Sequence, residues 1–323
     1  MIAGGIEDDM KVIYMGTPDF AVGALNSVIE AGHEVKLVVT QPDRVRGRGG
    51  EVSFCPVKQC ALEYGLPVFQ PEKIRLPEAV ARLKEEDADI YIVAAFGQIM
   101  SEEILNIPRY GCINIHASLL PKYRGAAPIQ WCILNGETKT GVTIMQMDKG
   151  IDTGDILLQR EIDIAPDETG ESLFDKLAVL GSKAVTEALT LIEKGEITPV
   201  RQDESKATHV GMLKKEMGLI DWNDTGVRIE RYVRGLNSWP SAYTYHKSRM
   251  LKIWESHVDD TPGTNTGDVK PGTVIKADDT GLYVQTGEGV LVITSLQIEG
   301  RKRMDTAAFL RGQQVAAGEI LGR

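Results

Sequence analysis

The chain has 323 residues, 42% of them hydrophobic and 25% charged, enough for two domains with separate cores. A net charge of -10 excludes a generally basic nucleic-acid coat, although nearly all of the acidic surplus precedes residue 196 and the C-terminal part is close to neutral. The four cysteines (Cys55, Cys60, Cys112 and Cys132) lack zinc-ligand spacing and are too few for a disulfide framework, and no apolar run approaches the ~18 residues of a membrane span.

The first segment, Met1–Asp9 (MIAGGIEDD), has neither the basic start nor the apolar core of a signal peptide. It reads as a short disordered extension, with Met10 as an alternative start. Together with the cysteine usage this predicts a protein of the reducing cytoplasm that engages no membrane. Strands are predicted at Met10–Gly16, His33–Thr40, Asp89–Ala95, Gly111–His116 and Gly141–Met147. Helical patterns fall between them at Phe20–Ala31, Val57–Tyr64, Glu78–Glu86 and Ala126–Leu134. Thr17 is expected to cap the first, with Pro18 in its first turn. Strands alternating with helices predict an α/β fold with a doubly wound, mostly parallel, Rossmann-like sheet. The amphipathic pattern of Glu168–Lys194, through Leu173, Leu177, Leu180, Ala184 and Leu191, closes this first domain, residues 10–195. Residues 196–214 are polar, include Pro199, and read as a linker. The second domain, residues 215–323, opens on a helical pattern over Glu216–Arg234. After Trp239-Pro240 come short β-rich runs at Ala242–His246, Leu251–Val258, Gly272–Ala277, Gly281–Gln285 and Val290–Leu296. Strands of that length and spacing predict a small β-barrel of the oligonucleotide-binding (OB-like) kind.

Chemistry concentrates in the loops of the first domain. Gly111–Pro128 (GCINIHASLLPKYRGAAP) carries Asn114 and His116 at i and i+2 of a strand, so both leave one face where the strand gives way to the SLLP turn. An amide donor beside a titratable imidazole can stabilise an oxyanion and move a proton. An isolated Asn-x-His is more often a buried amide and a strand-end histidine. The Ser118–Pro121 turn and the small residues of KYRGAAP weigh against that bland reading. Met147–Ile156 (MDKGIDTGDI) follows the next strand and holds Asp148, Asp152 and Asp155, with Gly150 and Gly154 free to turn tightly. Asp152 can orient His116 or relay its proton. The other readings are a turn aspartate or a metal ligand, but no His or Cys stands at ligand spacing, so no metal is expected. Gln41–Gly50 (QPDRVRGRGG) sets Arg44, Arg46 and Arg48 among glycines. A solvated surface loop is the default there, and a mobile loop reaching phosphates and base edges is the alternative.

CINIHASLLPKYRGAAPI and GVTIMQMDKGIDTGDI resemble the active-site region of the folate-dependent formyltransferases. With VIYMGTPDFA, TQPDRVRGRG and the C-terminal GLIDW and LNSWPSAYT, the resemblance extends over nearly the whole chain and points to the branch that acts on tRNA. It implies transfer of the formyl group of 10-formyltetrahydrofolate to the free amino group of methionyl initiator tRNA, for translation initiation. It implies a tetrahedral intermediate, with neither a metal nor a covalent enzyme intermediate. Asn114, His116 and Asp152 are then the catalytic trio. Ser118, Leu119, Leu120 and Pro121 belong to the folate site, and Phe96, Gly97, Gln98 and Ile99 wall the pterin, although Phe96 alone reads equally well as a core aromatic. Arg48, with Arg44 and Arg46, then enters the tRNA acceptor stem. Arg228, Arg231, Arg234, Arg301, Lys302 and Arg303 are further candidates for phosphate contact. A monomer is expected. The chain departs from the family at Ser238 of Leu236-Asn237-Ser238-Trp239-Pro240, where proline is usual; the change lies away from the trio.

Three other readings are weaker. Formylation of glycinamide ribonucleotide or an amino sugar would use the same trio. However, the first would be expected to open with a phosphate loop rich in Gly and Ser, where Gly16-Thr17-Pro18-Asp19-Phe20 is bulky and acidic, and the C-terminal barrel favours a macromolecular substrate. A nucleotide-dependent oxidoreductase suits the sheet, but the first βα turn lacks G-x-G-x-x-G. A non-catalytic RNA-binding protein would not need Asn114, His116 and Asp152 together.

Overall fold

Apolar runs without alternation form the middle of a seven-stranded sheet, as expected for strands covered on both faces. The computed structural model describes residues 9–46, 51–259 and 269–322. The strands up to residue 210 are β1 (Lys11–Gly16), β2 (Glu34–Val39), β3 (Arg44–Arg46), β4 (Glu51–Ser53), β5 (Val68–Phe69), β6 (Ile90–Ala94), β7 (Cys112–His116), β8 (Arg124–Gly125), β9 (Lys139–Gln146), β10 (Ile156–Asp163) and β11 (His209–Val210). The large sheet runs β10-β9-β7-β6-β1-β2-β5. Its members from β5 to β7 are parallel, and β9 joins β7 antiparallel with His116 opposite Thr143. Every residue of β6 is buried.

The helices are α1 (Val22–Glu30), α2 (Pro56–Glu63), α3 (Pro77–Glu85), α4 (Glu102–Leu105), α5 (Pro128–Leu134), α6 (Gly170–Glu193), α7 (Gly226–Gly235) and α8 (Thr306–Gly312). Val80 and Leu83 of α3 and Ile104 of α4 join Ile13, Met15, Tyr91 and Val93 of the sheet in one core. The other face carries α6: a Cβ at Gly181 would stand 3.0 Å from Ile115, and Phe174 meets Phe20 edge-on at 5.6 Å. The sheet is thus doubly wound.

The chain forms two compact units that interleave in sequence. The first takes in residues up to Pro128, Lys139–Ile162 and Phe174–Val210; the second takes in Ile129–Thr138, Asp163–Leu173 and Gly211 onward. In the second, β12 (Ala242–His246), β13 (Arg249–Val258), β16 (Val290–Ile298), β15 (Gly281–Gln285) and β14 (Val274–Asp278) follow one another antiparallel, with β17 (Met304–Asp305) beside β16. α7 packs Ile229 and Val233 into their core. The last residues run between the two edges of this sheet. On the β14 side Val274 N donates to Glu319 O, Gly318 N to Val274 O and Leu321 N to Gly272 O, each at 2.8 Å, and Gly322 N donates to Tyr245 O of β12 at 2.7 Å. This brings the sheet toward a small barrel.

Some local expectations need correction. Thr17 does not cap the first helix: Pro18 precedes a 3-10 turn, and the Thr17 hydroxyl accepts from Gln41 N at 3.2 Å instead. The pattern Glu216–Arg234 is two pieces, a 3-10 turn at Lys215–Gly218 and α7, because Ile220 and Trp222 between them enter the core of the second unit. Gln41–Gly50 is not wholly loop: Arg44–Arg46 pairs with Glu51–Ser53. β10 carries no strand signal in sequence because ILLQREID is a half-buried edge strand, without the clean alternation that marks one.

Candidate active site

Parallel sheets gather ligands at the carboxyl ends of their strands. There β1 ends at Gly16-Thr17, β2 at Thr40-Gln41, β6 at Ala95–Ile99 and β7 at His116. Gln41 ties two of these ends together: its Nε2 donates to Phe96 O at 3.0 Å, and its backbone N–H reaches Thr17. Gln70 holds the following stretch by donating to Gln41 O at 2.8 Å and to Asp43 at 3.0 Å, while Lys58 pairs with Asp43. The root of the Arg44–Arg46 strand is therefore fixed on the sheet. Arg48 lies outside the described residues.

Asn114 and His116 share one face of β7, about 7 Å apart along the strand. Asn114 is half-buried, and its amide makes no hydrogen bond among the described residues. His116 is 6% exposed. Its Nε2 meets Tyr123 O at 3.0 Å. A carbonyl only accepts, so Nε2 carries a proton. Nδ1 faces Asp152 Oδ1 at 3.6 Å, an ion-pair distance rather than a hydrogen bond. Asp152 sits in the left-handed region at φ 55, and its Oδ2 accepts from Gly125 N at 2.8 Å. The nearby turn is pinned by Gly154, where a Cβ would lie 1.7 Å from Gln146 O.

The Ser118–Pro121 turn is held from within. Ser118 Oγ donates to Lys122 O at 2.7 Å, Thr143 Oγ1 donates to Ser118 O at 2.7 Å, and Gln159 Nε2 donates to Leu120 O at 2.8 Å. Ser118 and Leu120 are buried, so Leu119 and Pro121 form its open rim. Phe96 is 2% exposed and belongs to the hydrophobic core, so its ring is not open to a ligand. Gln98 spends its amide on Ile74 N at 2.7 Å and Pro71 O at 3.0 Å. Gly97 has φ 80, and Ile99 is exposed.

Several residues at this site gave no sequence signal. Arg124 is 1% exposed, with its guanidinium on Glu204 at 2.9 and 2.7 Å and on Gln202 at 3.1 and 2.9 Å. Glu204 holds this guanidinium protonated more firmly than usual, and Arg124 holds the Glu204 carboxyl below its ordinary range. These partners lie 78 and 80 residues from Arg124, beyond the reach of local spacing. Cys112 on β7 is no nucleophile: burial pushes its thiol up to about 12. Among the described residues no cluster of His, Cys, Asp or Glu could hold a metal ion, and no helix is long and apolar enough to cross a membrane.

The chain belongs to the formyl transferase family: residues 10–189 match its formyl transferase domain, and residues 212–314 match its C-terminal domain. It is 53% identical over 311 residues to a methionyl-tRNA formyltransferase of Agathobacter rectalis, covering 96% of this chain and 99% of the relative. It is 50% identical over 314 residues to one of Lachnospira eligens, covering 97% and 100%. The fold also matches an N-formyltransferase of Helicobacter canadensis solved with folinic acid and dTDP-3-aminofucose, at a TM-score of 0.64 and 17% identity, over 91% of this chain and 100% of that one.

Proposed function

We propose that this chain transfers the formyl group of 10-formyltetrahydrofolate to the free amino group of methionyl initiator tRNA and so serves translation initiation. The observation that carries the reaction type is the uncommitted Asn114 amide on the same strand face as the His116–Asp152 pair. The acceptor rests on the relatives named above, which match end to end.

The amine must attack as a neutral nucleophile. The bond from its nitrogen to the formyl carbon forms, and the bond from that carbon to the folate nitrogen breaks. One proton leaves the amine and one reaches the departing nitrogen. Asn114 donates its amide N–H to the formyl oxygen as that oxygen turns anionic. His116 offers Nε2–H, for which the oxyanion competes with the Tyr123 carbonyl. Asp152 balances the imidazolium and takes part in moving the amine proton. No metal step and no covalent enzyme intermediate enters this scheme.

The backbone of Phe96–Ile99 and the rim of Ser118–Pro121 receive the folate. Arg44, Arg46 and Arg48 receive the acceptor stem. Residues 10–195 supply the chemistry and residues 215–323 the remaining tRNA contacts. The chain works as a monomer in the cytoplasm. The test is a parallel assay of 10-formyltetrahydrofolate with methionyl initiator tRNA, glycinamide ribonucleotide and an amino sugar nucleotide. Turnover should appear with the tRNA alone. Preference for either small amine would overturn the reading.

A further inference from the structure

We infer that Gln202 is a positioning residue for formyl transfer, holding Asp152 in the geometry that aims its carboxylate at His116; this rests on the role proposed for Asp152 above. Gln202 is 5% exposed, and every polar atom of its amide is spoken for. Nε2 donates to Asp152 O at 2.9 Å and to Gly154 O at 2.7 Å, while Oε1 accepts from Arg124 Nε and Nη2 at 3.1 and 2.9 Å. Carbonyls on one side and a guanidinium on the other allow this amide only one orientation.

Asp152 is a non-glycine residue at φ 55, a conformation that persists only where the surroundings impose it. The Gln202 amide bridges the carbonyls on either side of Thr153 and so imposes it. With the backbone fixed, Oδ2 takes the Gly125 N–H and Oδ1 is left facing His116. Gln202 is itself anchored by buried Arg124, whose charge is met by Glu204 at the surface. The same stretch of chain reaches the other side of the histidine. Val200 and Ile156 exchange backbone bonds of 2.8 Å, Thr208 N donates to Pro121 O at 3.2 Å, and Thr208 Oγ1 accepts from Tyr123 N at 2.8 Å. Residues 200–208 thus strap down both the carboxylate and the carbonyl between which the imidazole sits.

The test compares Gln202→Met, Asp152→Asn and the double variant in the full chain, after circular dichroism and thermal melts establish folding. Gln202→Met keeps the volume and loses every hydrogen bond. It should lower kcat about 10-fold or more, because small misplacements of reacting groups are costly, while KM for both substrates stays within about 2-fold. In the Asp152→Asn background it should cost no more than about 2-fold further, since the carboxylate it aims is gone. Wild-type kcat in Gln202→Met, an equal loss in both backgrounds, or a loss confined to KM overturns the inference. Near-wild-type turnover in Asp152→Asn alone would instead remove Asp152 from the reaction. Gln202→Glu provides the same comparison if Gln202→Met does not fold: it keeps an acceptor for Arg124 but sets an oxygen against two carbonyls, so it should lose kcat as well.

Discussion

His116 is held between two acceptors of different character, the Tyr123 carbonyl and the Asp152 carboxylate. These two partners fix the orientation of the ring that the proposed mechanism uses. On the proposed mechanism, Asn114→Ala should lower kcat/KM by about 10²–10³, the usual cost of one oxyanion donor. It should leave the melting temperature nearly unchanged, because the Asn114 amide serves no other residue among those described. His116→Ala should lose at least as much turnover; steady-state kinetics with near-wild-type values for both variants would reject the site. Arg48→Ala should weaken use of full-length initiator tRNA and spare the folate KM; unchanged tRNA kinetics would remove Arg48 from the contact set. At this scale the sequence exposed Asn114 and His116 because period-two geometry is a local property. It could not expose Arg124 or Gln202, since a buried guanidinium and a buried amide look like surface residues until chain from some eighty residues away arrives beside them.

Among the elements, the loop after β9 is the most constrained by backbone contact. A methyl group at Gly154 would meet the carbonyl oxygen of Gln146 at the end of β9, and backbone has little room to yield. Gly154→Ala should therefore destabilise by about 1–3 kcal/mol and also reduce turnover, because the turn it displaces carries Asp152. Gly211→Ala is the matched control: nothing lies within 4 Å of its Cβ, and the change should stay within about 0.5 kcal/mol. Chemical denaturation of the two variants decides this; equal stability would mean that the turn can shift freely. The strands and most helices of the first unit follow from apolar runs and their spacing. The break at Trp222 was hidden by its neighbours, since the charged helical pattern on either side masks a residue claimed by a distant core.

Across the whole molecule, the C-terminal segment joins the two edges of the second sheet, and His246 and Lys247 secure it by binding Glu319 at 2.7 and 3.3 Å. His246 foremost, with Lys247, holds the Glu319 carboxyl below its ordinary range. A depressed folded-state value means that the contribution is present above the unfolded glutamate range and is lost as pH falls through the folded value. Glu319→Gln should accordingly be less stable than the wild type at neutral pH, by about 1 kcal/mol or less, and the gap should close on acidification. Thermal melts across that interval check this, and a gap that widens in acid would contradict it. The sequence by itself determined the alternating strands and helices, the β-rich second half, the Asn-x-His pair and the family, because these rest on periodicity and short motifs. Only the tertiary structure decided that His116 faces Asp152, that Phe96 lies in the core, and that residues 200–208 brace the site. Those facts depend on which distant segments share a neighbourhood, and chain spacing does not encode that.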